Sequence, residues 1–335
     1  MRFGATIQDA EGLRLTAEEK ALFRRENPFG FILFGRNIDT ADQIRALCGD
    51  FREAVGRDCL ITIDQEGGRV QRLRPPLARD WLPPLDEVAR AGELAERAMY
   101  LRYRLIAHEL RALGIDSNCA PTLDLAFAET HSFLRNRLYD GDPAKVARIG
   151  RAVADGLMEG GVLPVMKHMP GHGRATLDTH HELPTVSVDT DQLDSSDFAP
   201  FLALNDLPMG MTAHLVFDRI GPDPATISAP LITLIRSQIG FDGLLMTDDI
   251  SMKALSGSVA DKATRAIAAG VDVVLHCNGT FQDRAAVAEA AGEMSSVAQT
   301  RAERAMAQRH APQPLDIEAA EAEHSRLIGG QGYGG

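Results

Sequence analysis

The sequence predicts an α/β protein built as a single (β/α)8 TIM-type barrel, and three observations predict it. Short apolar runs rich in β-formers alternate with amphipathic helical stretches, eight such runs can be counted, and five of them end in charged or polar residues. The order β-α-β-α implies parallel strands joined by helical crossovers. Eight units suggest closure into a barrel. An open doubly wound sheet is the alternative, because order alone does not fix closure.

The strand runs fall at residues 3–7, 30–35 (GFILFG), 59–64 (CLITID), 117–123, 163–168 (LPVMKH), 209–217 (MGMTAHLVF), 243–249 (GLLMTDD) and 271–277 (VDVVLHC), the first and fourth with the weakest patterns. Helical patterns occupy residues 40–55, opening after Asp39, and 93–113, ended by Gly114. The stretch 143–159 starts with Asp142 as N-cap and Pro143 as the first helical residue. Residues 195–204, 229–239, 259–269 and 284–307 complete the set.

A chain of 335 residues, 44% of them hydrophobic, can bury a substantial core and suits one barrel with loop insertions. One domain over residues 1–335 is expected, with the glycine-rich end, from about 325 to 335, as a mobile tail. The 35 basic and 47 acidic residues give 35 − 47 = −12. An acidic chain without a basic stripe does not suit nucleic acid, where affinity comes from phosphate neutralisation, nor a membrane surface. The start, MRFGATIQDAEG, lacks a basic region followed by an apolar run, and no apolar stretch approaches a membrane span. Cys48, Cys59, Cys119 and Cys277 are isolated, as in a reduced cytoplasmic protein. A cytoplasmic monomer acting on a small molecule is the expectation.

The polar strand ends are Asp64, Lys167-His168, His214, Asp248-Asp249 and His276-Cys277. In a parallel barrel all carboxyl ends open onto one face, where the active site sits. Loops also begin at strand ends, so one polar residue there says little; five together say more. In LLMTDDISMKAL, residues 244–255, Asp248 follows a rigid strand, as a nucleophile requires. Asp249 competes with it, but alternation points neighbours apart, and Asp249 can also be a helix cap.

In KHMPGHGRATLDTHHELP, residues 167–184, Pro170, Gly171 and Gly173 bend the loop before Asp178-Thr179-His180. An Asp two residues before a His can orient the imidazole and raise its pKa for proton transfer. A solvated turn is one alternative. A metal site of His168, His172, His180, His181 and Asp178 is another, weakened by the absence of HxH or HExxH spacing. In IDQEGGRVQRL, residues 63–73, Asp64 and Arg72 can clamp vicinal hydroxyls, and Gly67-Gly68 before Arg69 could instead cradle a phosphate. Arg137, in RNRLYDGDP, can enter the site or pair on the surface with Asp140 or Asp142.

Together these motifs resemble glycoside hydrolase family three, and more closely its single-domain bacterial β-N-acetylglucosaminidases of cell-wall recycling. The segments carrying the likeness are DQEGGRVQR from Asp64, KHMPGHG from Lys167, DTH from Asp178, MTAH from Met211 and TDDISM from Thr247. The resemblance implies a retaining exo-glycosidase that releases terminal β-linked N-acetylglucosamine from muropeptide fragments, without metal or cofactor. It implies Asp248 as nucleophile, His180 as acid/base with Asp178 as its partner, and Asp64, Arg72, Arg137, Lys167 and His168 as the residues holding the terminal sugar. β-Glucosidases of the family take their acid from a second domain, for which this chain has no room, so the Asp178–His180 pair must supply it. Met169 stands where phenylalanine is usual, Arg174 where an acidic residue is frequent, and Thr179 where serine is usual. None removes a group the chemistry needs.

Overall fold

The computed structural model describes residues 2–177 and 183–330. Eight strands lie near the eight apolar runs: β1 (Gly4–Gln8), β2 (Pro28–Leu33), β3 (Leu60–Ile63), β4 (Ser117–Asn118), β5 (Leu163–Met169), β6 (Met209–Thr212), β7 (Leu244–Met246) and β8 (Val274–Leu275). They form two four-stranded sheets, ordered β8-β1-β2-β3 and β4-β5-β6-β7. Every neighbouring pair within them is parallel. All eight strands are buried along their length, as expected of parallel sheets covered on both faces.

Main-chain hydrogen bonds cross both margins between the sheets. The amides of Asp116 and Cys119, flanking β4, donate to Ile61 O and Ile63 O of β3 at 3.1 and 2.9 Å. At the other margin Thr247 N donates to Val273 O at 3.0 Å and Asp272 N to Leu245 O at 2.9 Å, and Met246 bridges Val273 in parallel register.

The helices follow from their caps and apolar faces. They are α1 (Ala17–Glu26), α2 (Ala41–Val55), α3 (Pro84–Ala91), α4 (Ala95–Ala112), α5 (Pro143–Glu159), α6 (Ala229–Ser237), α7 (Val259–Ala269), α8 (Phe281–Ala291), α9 (Ser296–Ala307) and α10 (Ile317–Leu327). In α2, Ile44, Leu47, Cys48, Phe51 and Ala54 form one buried stripe at helical spacing, Thr40 caps the start, and Gly56 in the left-handed conformation ends it. Phe51 stacks on Phe31 of β2 with centroids 4.0 Å apart. Asp142 caps α5 by accepting from the amides of Ala144 and Lys145, with Pro143 at the first helical position.

Two helical expectations need correction. Within the stretch 195–204 only Ala199–Ala203 is a helix, and a separate short helix, Thr190–Ser195, ends where the stretch begins; Pro200 has no N–H and its ring clashes with the carbonyl of residue 196, so one helix cannot run through. The stretch 284–307 is divided into α8 and α9 at Gly292, whose φ of 63° closes the first. Residues 325–330 of the expected tail fall within the described residues. Helix α10 runs to Leu327 with His324 fully buried, and Ile328 is buried beyond it. His324 is tied to the body of the protein, Nε2 meeting Glu87 Oε1 at 2.9 Å.

Candidate active site

The carboxyl ends of β3, β5 and β7 deliver charged side chains to one cavity of about 200 Å³. Asp64 follows β3 directly, and a hairpin of Gln65–Gly67 against Val70–Gln71 brings Arg72 back over it. Gln65 locks this return, its Oε1 accepting from the amides of Arg72 and Leu73 at 3.0 Å each. Arg72 Nη2 then donates to Asp64 Oδ2 at 2.9 Å. From β5, Lys167 Nζ reaches Asp64 Oδ1 at 3.0 Å and Glu66 Oε1 at 2.5 Å. Arg137 closes the cluster with a two-pronged contact to Glu66, Nε to Oε2 at 2.9 Å and Nη2 to Oε1 at 2.8 Å.

In this grouping of two carboxylates and three cations, Lys167 and Glu66 are fully buried, and Asp64, Arg72 and Arg137 are partly so. Burial alone would neutralise the acids, but the cations outweigh it. Lys167 and Arg72 hold Asp64 well below the usual carboxylate range. Against the same burial, Arg137 and then Lys167 hold Glu66 at about 2. In return Asp64 and Glu66 overcome the burial of Lys167 and raise its pKa above the ordinary lysine value. The cluster is therefore a fixed array of donors and acceptors, suited to hydroxyl groups on adjacent carbons.

His168 is oriented by Asp124, which sequence reasoning did not single out. Asp124 Oδ2 lies 2.7 Å from His168 Nδ1. Asp124 Oδ1 accepts from the amides of His168 at 3.2 Å and His172 at 2.7 Å. With Nδ1–H given to Asp124, the other ring nitrogen is left for the cavity. His172 packs edge-on to His168 with centroids 5.4 Å apart. Both its ring nitrogens are buried without a hydrogen-bond partner among the described residues. Burial, then the neighbouring His168, push its pKa down to about 4. Asp124, His168 and His172 each offer a ligand atom within 4.8 Å of the others, a donor set of the kind zinc takes. Of the metal set considered from the sequence, His168 and His172 thus meet, with Asp124 as their companion.

Asp248 stands two residues beyond β7 and lines the cavity with Asp64, Lys167 and His168. Its Oδ1 accepts from Asp249 N at 2.7 Å. Burial raises its pKa, but His214, His168, the Asp249 amide and Lys167 together hold it below the ordinary value. Asp249, its rival, is differently employed. Its Oδ1 accepts from Ser251 N and Cys277 N at 3.0 and 3.2 Å, and its Oδ2 from Ser251 Oγ and Asn278 Nδ2 at 2.6 and 3.1 Å. It pins the loop after β7 to the loop after β8 rather than capping a helix.

The surface alternative for Arg137 does not hold: Asp140 pairs with Lys145 at 2.7 Å and Asp142 is spent on capping α5. The phosphate cradle fails too, since Gly68 N donates to Trp81 O at 2.8 Å. Arg174 is paired with buried Asp197 at 2.8 Å and lies over Phe127. Asp178, His180 and His181 lie outside the described residues. Glu66 was also missed; it is two residues after Asp64, and the period of an extended chain puts both on one face. Asp124 was missed because the run before it carried the weakest strand pattern.

The profile of the Glycosyl hydrolase family 3 N terminal domain matches residues 6–309. The chain belongs to glycosyl hydrolase family 3. As a family 3 member it is a glycoside hydrolase, and its relatives agree. It is 36% identical over 287 residues to a β-hexosaminidase of Bordetella avium (strain 197N), covering 82% of this chain and 81% of that one. It is 36% identical over 282 residues to a β-hexosaminidase of Pseudomonas aeruginosa (strain LESB58), covering 82% of each. Among solved structures, NagZ from Neisseria gonorrhoeae in complex with N-trifluoroacetyl-D-glucosamine superposes with a TM-score of 0.80 at 29% identity, over 98% of this chain and 99% of that one.

Proposed function

We propose that this family 3 enzyme is an exo-acting β-N-acetylglucosaminidase working by retention, with Asp248 as nucleophile. The observation that carries the reading is Asp248 opening on the same small cavity as the Asp64–Arg72–Lys167 array and His168. That array would hold the hydroxyls of a terminal sugar, while the anomeric carbon meets Asp248. The β-hexosaminidase relatives, and the N-acylated glucosamine bound by the gonococcal NagZ, support the amino sugar. A cavity of about 200 Å³ favours one terminal ring over an internal stretch of polymer.

Asp248 attacks the anomeric carbon, and the C–O bond to the leaving sugar breaks as His180, paired with Asp178, protonates the departing oxygen. Water, deprotonated by His180, then releases the sugar from Asp248, and two inversions give net retention. Arg137 lines the same cavity and would join the array in holding the sugar, while also fixing Glu66, which with Asp64 places Lys167. The strands would close into a (β/α)8 barrel of one domain, a reading supported by the hydrogen bonds at both sheet margins. A cytoplasmic role on muropeptide fragments completes the proposal, on the resemblance of the sequence motifs.

The test is release of 4-nitrophenol from its β-N-acetylglucosaminide and its β-glucoside by wild type and Asp248→Ala, with and without EDTA. Chelator-resistant activity on the N-acetyl sugar alone, lost in Asp248→Ala, is expected. Loss of wild-type activity to EDTA would instead favour a metal held by Asp124, His168 and His172.

A further inference from the structure

His214 ends the MTAH segment two residues beyond β6, yet it is fully buried and does not line the cavity. Its Nε2 lies 2.9 Å from the main-chain oxygen of Asp249. A carbonyl oxygen only accepts, so Nε2 carries the hydrogen and donates it. The amide of that same residue donates to Asp248 Oδ1 at 2.7 Å. The other edge of the ring is held as well: Nδ1 lies 2.7 Å from Thr226 Oγ1, which sits 2.9 Å from Thr212 Oγ1 and 3.1 Å from Ala213 O. Thr226 belongs to a short 3-10 turn, Ala225–Ile227, just before α6.

From this chain of contacts we infer that His214 is a positioning residue, which sets the orientation of the Asp248 carboxylate by gripping the Asp249 main chain. The inference rests on the proposed role of Asp248. The side chain of Asp249 is already fastened to Ser251 in its own loop and to Cys277 and Asn278 on the β8 side. The grip of His214 on the carbonyl fastens the same residue from the β6 side. Asp249 is thus held from both neighbouring strand ends, and its amide presents one fixed hydrogen bond to one oxygen of Asp248. The second oxygen then faces the cavity in one orientation. The sugar-binding array has no part in this chain of contacts, so disturbing it should cost turnover and spare binding.

The experiment compares steady-state kinetics of wild type, His214→Leu, His214→Gln and Asp248→Ala on the 4-nitrophenyl β-N-acetylglucosaminide, with thermal melts of each. His214→Leu removes the donor, and kcat is expected to fall about ten- to a hundredfold, as for a small displacement of a reacting group, with KM within about twofold. His214→Gln retains an N–H that can reach the carbonyl and is expected to recover most of the lost kcat. A His214→Leu kcat within about twofold of wild type overturns the inference, as does a His214→Gln kcat no better than that of His214→Leu. If His214→Leu does not fold, Thr226→Val carries the test by releasing the far edge of the ring: a lower kcat at unchanged KM supports the inference, and an unchanged kcat overturns it. Activity surviving in Asp248→Ala is the separate result that removes the nucleophile reading itself.

Discussion

Glu66 and His172 show what the cavity asks of single residues. Glu66 is held at about 2 against an ordinary 4.5. Its stabilising contribution is thus fully present above 4.5 and is lost as pH falls toward 2. His172 is a base whose pKa is pushed from 6.5 to about 4. As pH falls below 6.5 the unfolded chain takes up this proton before the native one, so stability declines through that window as well. Melting temperatures are therefore expected to decline from about pH 6.5 downward, and His172→Gln to flatten the portion above about pH 4.5. A variant whose melts track wild type through that portion would contradict the assignment. Asp64, Lys167, His168 and Asp248 were legible because each lies at the end of a recognisable strand. Glu66 and Asp124 are as deeply embedded but were not legible. One hid behind Asp64 in the same motif, and the other followed a run whose ladder, Ser117–Asn118, has only two residues. The partner of Arg137 could not be read either, because Glu66 is 71 residues away in sequence and nothing local favours it over Asp140.

At the scale of elements, the hairpin after β3 does most to assemble the site, and it depends on what lies beneath it. Arg102 of α4 donates to the carbonyls of Glu66 and, at 3.0 Å, Leu82. Its Nη1 pairs with Glu87 of α3 at 2.6 Å, and Glu87 in turn holds His324 of α10. Three helices thus brace the hairpin from below. Gly67 is required where the two meet: its φ is +108°, and a Cβ there would collide with the Arg102 guanidinium and come within 2.8 Å of Leu82 O. Gly67→Ala is expected to cost about 1–3 kcal/mol of stability and to raise KM more than it lowers kcat, because Arg72 and Asp64 ride on the same hairpin. Equal denaturation midpoints and equal KM for the two proteins would refute this. Of the bracing helices, the pattern of α4 was legible but α3 and α10 were not. Helix α3 has only eight residues and α10 is largely polar. Their place is decided by the buried Glu87–His324 contact, which no local pattern encodes. Pro200 and Gly292, by contrast, are plain in the sequence, and neither lets one helix run through its position.

Across the whole molecule, the rhythm of the chain was the most legible feature. Eight runs became eight parallel strands, because burial on both faces demands near-continuous apolar sequence. The hydrogen bonds that cross the sheet margins, between β3 and β4 and between β7 and β8, were not legible, since backbone groups carry no side-chain signature. Convergence follows from parallelism. Asp64, Lys167, His168 and Asp248, spread over 185 positions of sequence (248 − 64 + 1), meet because every strand points its carboxyl end the same way. We propose that this architecture aims Asp248 at an anomeric carbon. The most direct test is to incubate the active enzyme with a 2-fluoro derivative of the sugar carrying a good leaving group, digest it, and locate the adduct by mass spectrometry. A covalent glycosyl ester on Asp248 is expected. Active enzyme that is never labelled there would contradict the covalent route and shift the nucleophile to the acetamido group of the substrate.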